Sequence, residues 1–377
     1  GPQTHPLARE CFSLLGALCG GDAGFRQFRR KGAFAPAEAI GVIMIEEALK
    51  LKHTLRFKKD GTFKIAVFSD VHSAEELSEK TVHAINAVVR KENPDLVLFN
   101  GDLMMQLTDA EAVRRNIAAM TRYLEEHHIP WAHTYGNHDS ETVSEVPAVS
   151  REEQQRMYEA LPYCLSKTGE KDIGGVGNYV LPILRSDGGT IAFNVWALDS
   201  GSYLDHQHPG LGAMASGAMS THIFNQHNFA YIPFKTIRWY FNTSEALEQY
   251  NGAKIPAVAV FHMPLCEYYT VLKNPKETGL AGAHDEQICS SELNSGLFTA
   301  ALDRGDIRMF VAGHDHTDDF IGEYCGIKLA YDASIGFQVY YDYTVMGARI
   351  IEINQDCPEA FTTRMSYLKD IENWDRD

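Results

Sequence analysis

From Phe63 onward, short apolar runs alternate with longer amphipathic segments, and this alternation constrains the fold more than any other feature. The apolar runs predict buried strands, and the segments between them predict helices. The first three strands are predicted at 63–68, 95–99 and 131–135, with helices at 74–91 and 108–127. Nearly continuous apolar strands joined by crossover helices are typical of a parallel sheet covered on both faces. The sequence therefore predicts an α/β fold.

The second half of the chain continues this pattern with less regular spacing. Strands are predicted at 178–184, 190–198, 257–261, 308–312, 320–324, 327–331 and 348–354, with helices at 234–250 and 292–303. Residues 201–231 form a long stretch rich in Gly, Ala, Ser and Met that carries His206, His208, His222 and His227. We interpret this stretch as a solvated loop, with a substrate lid or a further metal site as alternatives.

Residues 1–60 differ in character from the rest of the chain. The segment 35–50 has the composition of a helix, with several apolar residues on one face. We therefore predict an N-terminal helical appendage over 1–60 that packs on a main domain over 61–377.

The composition limits the class of partner. The chain has 34 Lys and Arg against 50 Asp and Glu, a formal net charge of −16. An extended nucleic acid or an anionic membrane surface needs a basic footprint, so the charge argues against both. No apolar run approaches the ~20 residues of a membrane-spanning helix. The 7 cysteines are scattered without a C-x-x-C pair, which indicates mostly free thiols.

The start of the sequence leaves the cellular compartment of the protein open. The sequence begins Gly-Pro-Gln without a methionine, which is typical of a cleaved N-terminus. We expect a soluble protein, either cytoplasmic or secreted, and the sequence indicates no particular oligomeric state.

Five short polar clusters follow predicted strands, at the point where each strand ends. They are 70–72 (Asp-Val-His), 101–102 (Gly-Asp), 136–139 (Gly-Asn-His-Asp), His262, and 313–316 (Gly-His-Asp-His). In open α/β sheets the carboxyl ends of the strands are where ligands bind. The first three clusters follow successive strands, so their side chains can converge. The order along the chain leaves open whether the last two join them.

The residue types in these clusters suit transition metals. Carboxylate and imidazole ligands favour Mn, Fe or Zn, whereas Ca and Mg sites favour oxygen donors. An Asp-x-His sequence lets one loop supply two ligands to one ion, and one Asp can bridge two ions with its two oxygens. Each cluster alone has an ordinary explanation, such as a turn or a buried histidine. Together they predict a site for two metal ions.

In this order the clusters resemble the calcineurin-like metallophosphoesterases from about Phe63 to Ile351, and within that family the purple-acid-phosphatase-like branch. Further phrases that carry the resemblance are Gly177-Asn178-Tyr179, Leu198-Asp199-Ser200-Gly201 and Asn294-Ser295-Gly296. The resemblance implies a two-sheet metallophosphoesterase sandwich flanked by helices, with a dinuclear site at one edge of the sheets.

The resemblance also implies a set of metal ligands. One ion would be held by Asp70, His72, the bridging Asp102 and His316, and the other by Asp102, Asn137, His262 and His314. Purple acid phosphatases have Gly in place of His72 and a metal-binding Tyr where this chain has Met105. We therefore expect two divalent transition-metal ions (Mn, Fe or Zn) and no Fe(III) held by a tyrosine.

The activity that the resemblance implies is hydrolysis of a phosphoric ester, with a phosphomonoesterase favoured. A hydroxide that bridges the two ions would attack phosphorus, and His138, oriented by Asp139, would assist the leaving group. Candidate substrate contacts from the same resemblance are Asn137, Asn178, Tyr268 and Asn294.

The net charge is compatible with a small phosphorylated substrate. Two divalent ions bring +4 against −2 from Asp70 and Asp102, so the pocket is locally positive although the chain is acidic.

Two alternatives stay open. A phosphodiesterase acting on a small nucleotide or lipid-headgroup diester would use the same ions. A non-catalytic interaction module on this scaffold would be expected to lack ligands or the proton donor, and this chain lacks none of them.

Overall fold

The computed structural model describes residues 36–141, 146–208 and 229–375. Most of the predicted appendage, and most of the histidine-rich stretch with His222 and His227, lie outside the described residues. Within the described ranges, the cysteines are free thiols. No helix in those ranges is long and apolar enough to cross a bilayer.

The secondary structure alternates strands and helices much as the sequence predicts. The described strands are β1 (Leu55–Arg56), β2 (Thr62–Phe68), β3 (Leu96–Asn100), β4 (Trp131–Thr134), β5 (Tyr179–Leu184), β6 (Ile191–Ala197), β7 (Ala257–Val260), β8 (Ile307–Ala312), β9 (Ile321–Tyr324), β10 (Ile327–Tyr331), β11 (Gly347–Asn354) and β12 (Thr362–Tyr367). The described helices are α1 (Pro36–Leu49), α2 (Glu79–Glu92), α3 (Ala110–Glu126), α4 (Arg151–Glu159), α5 (Leu204–Gln207), α6 (Phe234–Asn251), α7 (Tyr268–Lys273) and α8 (Leu297–Arg304).

Two helices begin about five residues later than the sequence predicts. Before α2, the backbone amides of Leu77 and Ser78 donate to the side chains of Asn116 and Gln338, so this segment is held as a loop. Before α8, Gly296 adopts a left-handed conformation with a φ of 88° and its amide donates to Asn294. Side-chain hydrogen bonds of this kind compete with the first turn of a helix.

The strands form two sheets. The five-stranded sheet has the order β12-β11-β2-β3-β4, and the seven-stranded sheet has the order β1-β5-β6-β7-β8-β10-β9. Strands β2, β3 and β4 run parallel to one another in one sheet, as do β6, β7 and β8 in the other, and all of these except β6 lead into the polar clusters. Antiparallel pairs lie outside these runs: β2 with β11, β11 with β12, β5 with β6, and β9 with β10. The prediction of a parallel sheet therefore holds for the strands that position the candidate site.

The two sheets pack face to face with helices outside them. Ile65 and Val67 of β2 meet Val260 and other residues of the seven-stranded sheet, while Ala66 and Phe68 point to the opposite face and pack with α2 and α3. Helices α1, α6, α7 and α8 cover the outer face of the seven-stranded sheet. This is the predicted two-sheet sandwich flanked by helices, and the alternation of side chains along each strand explains it.

The segment before residue 60 contributes to this sandwich. Leu55 and Arg56 of β1 pair with Ile183 and Leu184 of β5, and Phe57 is buried between the sheets. The backbone groups of β1 need hydrogen-bond partners, and β5 provides them. The first strand of the seven-stranded sheet therefore lies inside the segment assigned to the appendage. The division of the chain at residue 60 stays a prediction.

Candidate metal centre

The polar clusters of both sheets meet at the carboxyl ends of their strands. The five-stranded sheet supplies Asp70 and His72 after β2, Asp102 after β3, and Asn137 and His138 after β4; the seven-stranded sheet supplies His262 after β7, and His314 and His316 after β8. The last two clusters, whose position the chain order leaves open, thus join the first three. Packing of the sheets face to face places all five at one edge.

The donor atoms form two adjacent groups. In the first, Asp70 Oδ1 lies 3.3 Å from His316 Nε2 and 3.4 Å from His72 Nε2. In the second, Asp102, His262 and His314 offer ligand atoms within 4.8 Å of one another, with 3.0 Å between Asp102 Oδ2 and His262 Nε2. These are the residues that the sequence analysis assigns to two ions, and their role as ligands stays a prediction.

Buried donor atoms without hydrogen-bond partners test whether the site fits metal ions. Among the described residues, such atoms include Asp70 Oδ1, His72 Nδ1, Asp102 Oδ2, Asn137 Oδ1, His262 Nε2 and His314 Nε2. A buried polar atom without a partner is costly and rare in folded proteins. Apart from His72 Nδ1, these atoms fit metal ions well, because cations would satisfy them together; His72 presents Nε2 to Asp70 and His316. Oxygen and imidazole nitrogen donors match Mn, Fe or Zn.

The loops that carry these ligands have unusual backbone conformations. Asp70, His72, Asp102 and His314 all have positive φ, between 48° and 77°. Such conformations cost a non-glycine residue on the order of 1–3 kcal/mol and cluster at functional sites. Hydrogen bonds hold two of them in place, from the Asp70 amide to the Gly101 carbonyl and from the His72 amide to the Asp102 carbonyl.

Two glycines allow the loops to approach one another. A Cβ on Gly101, whose φ is 87°, would lie 2.7 Å from the His262 ring, and a Cβ on Gly136 would lie 2.1 Å from Asp102 Oδ1. No side chain fits at either position without a shift of a candidate ligand. Both glycines belong to the polar clusters identified in the sequence, where glycine is expected to allow sharp turns and close approach of the backbone.

Backbone carbonyls orient the imidazoles. Nδ1 of His262 lies 2.9 Å from the Asn100 carbonyl, and Nδ1 of His316 lies 2.9 Å from the Tyr340 carbonyl. The Tyr340 ring also stacks on His316, with ring centroids 4.2 Å apart. A carbonyl acceptor places the proton on Nδ1 and leaves the Nε2 lone pair for a metal. Asn100 and Tyr340 are supporting residues that the sequence pattern did not reveal.

The carboxylates and imidazoles shift one another's pKa values. Burial raises the pKa of Asp70 and of Asp102, but nearby imidazoles, His262 first among them, lower both values well below the ordinary range. On His262, burial lowers the pKa, while Asp102 and Asp70 raise it to about 10. Burial and the proximity of His262 lower the pKa of His314 to about 3. The site therefore holds ionised carboxylates and at least one neutral imidazole.

The structure corrects the partner of His138. Asp139 was expected to orient this histidine, but its carboxylate accepts hydrogen bonds from the backbone amides of Asp102, Leu103, Met104 and Gly136, at 2.7–3.0 Å. It therefore fixes the loops after β3 and β4 to each other.

A different carboxylate, Glu141, contacts the His138 ring. Glu141 Oε2 lies 2.6 Å from Nδ1 of His138, and the two residues are three positions apart along the chain. The i, i+3 spacing next to the Gly-Asn-His-Asp cluster is the signal that could have identified Glu141.

The structure also corrects two of the expected substrate contacts. Tyr268 is fully buried, and its hydroxyl donates to the Ala330 carbonyl at 3.1 Å. Asn178 is buried as well, with its amide occupied by Gly174 and Asp199. Both side chains are buried and hydrogen-bonded within the protein interior, so neither is available to a substrate.

The other two expected contacts are differently placed. Asn294 is exposed and bonded to Glu267 and Gly296. The side chain of Asn137 lies beside the metal donors, with Oδ1 unpartnered and Nδ2 bonded to Tyr203 at 3.2 Å. A substrate role for these two residues stays a prediction.

The fold and the site together define a class, an α/β sandwich with two adjacent groups of possible metal donors at the carboxyl ends of its strands. The chain belongs to the calcineurin-like phosphoesterases, whose family model matches residues 63–318. This confirms the resemblance noted in the sequence. It also makes a phosphoesterase hydrolase the class of enzyme to which the site is related.

Several relatives carry the word phosphatase in their names. The chain is 28% identical to "Probable inactive purple acid phosphatase 14" of Arabidopsis thaliana, over 86% of this chain and 83% of that protein. It is also 28% identical to "Phosphatase DCR2" of Saccharomyces cerevisiae, over 69% of this chain and 45% of that protein. A dimetal phosphatase from Danio rerio shares the fold, with a TM-score of 0.50 and 14% identity over 80% of this chain and 98% of its own.

Proposed function

We propose that this protein is a metal-dependent phosphomonoesterase that acts on a small phosphorylated substrate. The observation that carries the proposal is the group of buried, unpartnered donor atoms around Asp70 and Asp102. It is supported by the family and by relatives whose names include phosphatase.

Two divalent ions of Mn, Fe or Zn fit this donor set. Asp70, His72 and His316 would hold one, and Asn137, His262 and His314 would hold the other, with Asp102 between them. When bound, such a pair neutralises phosphate charge and makes a water molecule nucleophilic at neutral pH. The chain's own contribution is to fix the ligands and to provide a proton for the leaving group.

His138 is the residue that we assign to proton donation. Its backbone amide donates to Asp102 Oδ1 at 2.8 Å, which ties the histidine to the centre of the site. Its side chain is 31% exposed, and Nδ1 is occupied by Glu141. The other ring nitrogen, Nε2, is therefore the one left for the oxygen of the leaving alcohol.

The charge of the site favours a compact anionic substrate. Asp70 and Asp102 are the carboxylates among the proposed ligands, so two divalent ions leave the pocket positive. The net charge of −16 of the whole chain opposes long polyanions, whose charges extend beyond the pocket. A phosphate monoester concentrates its charge where the ions would be.

Paired assays test the reaction class. We expect purified protein with Mn²⁺ to hydrolyse p-nitrophenyl phosphate, and bis-p-nitrophenyl phosphate at least about tenfold more slowly in kcat/KM. Activity on the diester alone would replace the proposal with a phosphodiesterase. Protein that binds no transition metal, and whose activity does not change in a His138→Ala variant, would support a non-catalytic module instead.

A further inference from the structure

Three donors converge on the carboxylate of Glu141 at the edge of the metal centre. His138 Nδ1 lies 2.6 Å from Oε2, and the Gln106 side-chain amide donates to the same oxygen at 2.7 Å. The Tyr203 hydroxyl donates to Oε1 at 3.2 Å. Both oxygens of Glu141 are thus used, and its side chain is only 22% exposed.

The same network reaches a proposed metal ligand. The side-chain amide of Asn137 donates to the Tyr203 hydroxyl at 3.2 Å, and that hydroxyl donates to Glu141. Because Nδ2 of Asn137 donates its hydrogen bond to Tyr203, Oδ1 is the atom of this side chain that is left to bind a metal ion. This oxygen is buried without a hydrogen-bond partner. A continuous chain of hydrogen bonds therefore joins Asn137, Tyr203, Glu141 and His138.

We propose that Glu141 is a positioning residue that orients His138 for proton donation and, through Tyr203, orients the Asn137 amide toward the metal. This inference rests on the proposed phosphoesterase function and adds the residues that hold its proton donor. Asp139 does not compete for the role, because its two oxygens accept four backbone amides.

The proton transfer balances with groups already in the site. As the bond between phosphorus and the leaving oxygen breaks, its electron pair passes to that oxygen, which takes the proton from Nε2 of His138. The imidazolium becomes a neutral imidazole that keeps its Nδ1 proton toward Glu141. The carboxylate does not itself change protonation state; it selects the tautomer and stabilises the charged ring before transfer.

The leaving group provides the test. An alkyl phosphate such as glycerol 2-phosphate needs a proton on its leaving oxygen far more than p-nitrophenyl phosphate does. Glu141→Ala should therefore lower kcat/KM for glycerol 2-phosphate about 10²-fold and that for p-nitrophenyl phosphate only a few-fold, since general acid catalysis is worth about 10²–10⁴-fold. Glu141→Gln, which keeps an acceptor oxygen but loses the charge, should lie between wild type and Glu141→Ala.

Two further variants separate this role from a structural one. Glu159→Gln changes a half-buried glutamate on α4 that accepts from Gln155 and Thr168, and it should leave both substrates unaffected. Tyr203→Phe cuts the link to Asn137 and should weaken metal retention while largely keeping the preference between substrates. Equal losses on both substrates in Glu141→Ala would overturn the inference without touching the proposed function. If the wild-type protein hydrolysed no phosphate ester, both this inference and the proposed function would be wrong.

A spectroscopic measurement tests the contact without turnover. In protein labelled with ¹⁵N-histidine, the proton on Nδ1 of His138 should resonate far downfield, and the signal should be absent in His138→Gln. It should move upfield in Glu141→Gln and more so in Glu141→Ala. An unchanged resonance in Glu141→Ala would overturn the inference, whatever the activity of that variant.

Discussion

The two sheets contribute chemically different ligands to the candidate metal centre. Among the proposed ligands, loops of the five-stranded sheet supply both carboxylates and the Asn137 amide, with one imidazole, whereas loops of the seven-stranded sheet supply imidazoles. Each proposed ion needs donors from both sides, so neither sheet alone makes a complete site. This centre therefore depends on how the sheets pack as much as on the loops themselves.

Asn100, at the end of β3, shows how the two sheets are joined beneath the site. Its carbonyl accepts from His262, and its side-chain amide donates to the Val311 carbonyl of the seven-stranded sheet at 3.3 Å. Its side-chain oxygen accepts from Thr134 of β4 at 3.1 Å. One buried residue thus fixes the register between ligands that come from opposite sheets.

Removal of the shared carboxylate should have the largest effect. Asp102→Asn keeps the shape of the side chain but removes a negative charge between the two groups of donors, and we expect kcat/KM to fall about 10³-fold or more. Metal content, measured by mass spectrometry, should fall below two ions per chain.

Asp306→Asn is the matched control for this change. Asp306 is also buried but precedes β8, at the opposite end of that strand from His314, and it accepts hydrogen bonds from Tyr240 and Ser244. This variant should lose stability while keeping its metals. Full metal content and activity in Asp102→Asn would contradict a shared ligand.

A pair of histidine variants separates the contributions of the two sheets. His72→Ala removes an imidazole of the five-stranded sheet and His262→Ala one of the seven-stranded sheet. We expect each variant to retain one of two ions, with activity lower by about 10²-fold or more. In Mn²⁺-loaded protein, electron paramagnetic resonance should show coupled ions in wild type and an isolated ion in each variant. Loss of both ions from only one variant would mean that one sheet dominates the site.

The sequence predicts which polar residues lie at the candidate site better than it predicts the residues that support them. Strands ending before Asp70, Asp102 and His262 are readable because apolar runs stop at polar residues. The sequence does not show that His262 converges with Asp70, because this depends on the packing of one sheet against the other. The partner of His138 was assigned wrongly to the adjacent Asp139, since only the folded loop shows that four backbone amides occupy that carboxylate.

A similar reason explains the failure at Tyr268 and Asn178. Both lie in segments that resemble the family, but residues next to a site can face the interior as easily as the ligand. The left-handed conformations of Asp70, His72 and Asp102 have only a weak sequence signal, because Asp and His adopt positive φ more often than most other residues but residue type does not mark which of them does so. Such strain depends on the rest of the fold, which holds it in place.

Substitution at the junction of the sheets should affect stability more than the same change elsewhere. Gly101→Ala introduces a Cβ 2.7 Å from the His262 ring at a φ of 87°, so conformational strain adds to overpacking, and we expect a loss of about 3 kcal/mol in the free energy of unfolding. At Gly252, at the end of α6, φ is 72° but an added Cβ would meet no other described part of the chain within 4 Å, so only strain of about 1 kcal/mol applies to Gly252→Ala. Urea denaturation measures both. Equal losses would contradict close packing at the junction.

The smallest effect concerns a buried imidazole that has no carboxylate beside it among the described residues. His133 on β4 is 2% exposed, its Nδ1 lies 2.7 Å from the Ser166 hydroxyl, and burial lowers its pKa to about 3. His262, equally buried, has its pKa raised by two carboxylates instead. Because the unfolded chain protonates His133 near its ordinary pKa of about 6.5, that residue should cost the native state stability as the pH falls below this value.

His133→Gln tests this contrast. Relative to wild type, the free energy of unfolding of the variant should rise by about 2 kcal/mol between pH 7 and pH 5, whatever its offset at pH 7, because the variant no longer has a group that takes up a proton on unfolding. Urea denaturation at each pH measures the difference, with His127→Gln at the exposed end of α3 as the control. A difference that does not change with pH would mean that His133 is hydrated or paired in the native state. In that case the carboxylates at the junction of the sheets would no longer explain why the pKa of His262 is raised while that of His133 is lowered.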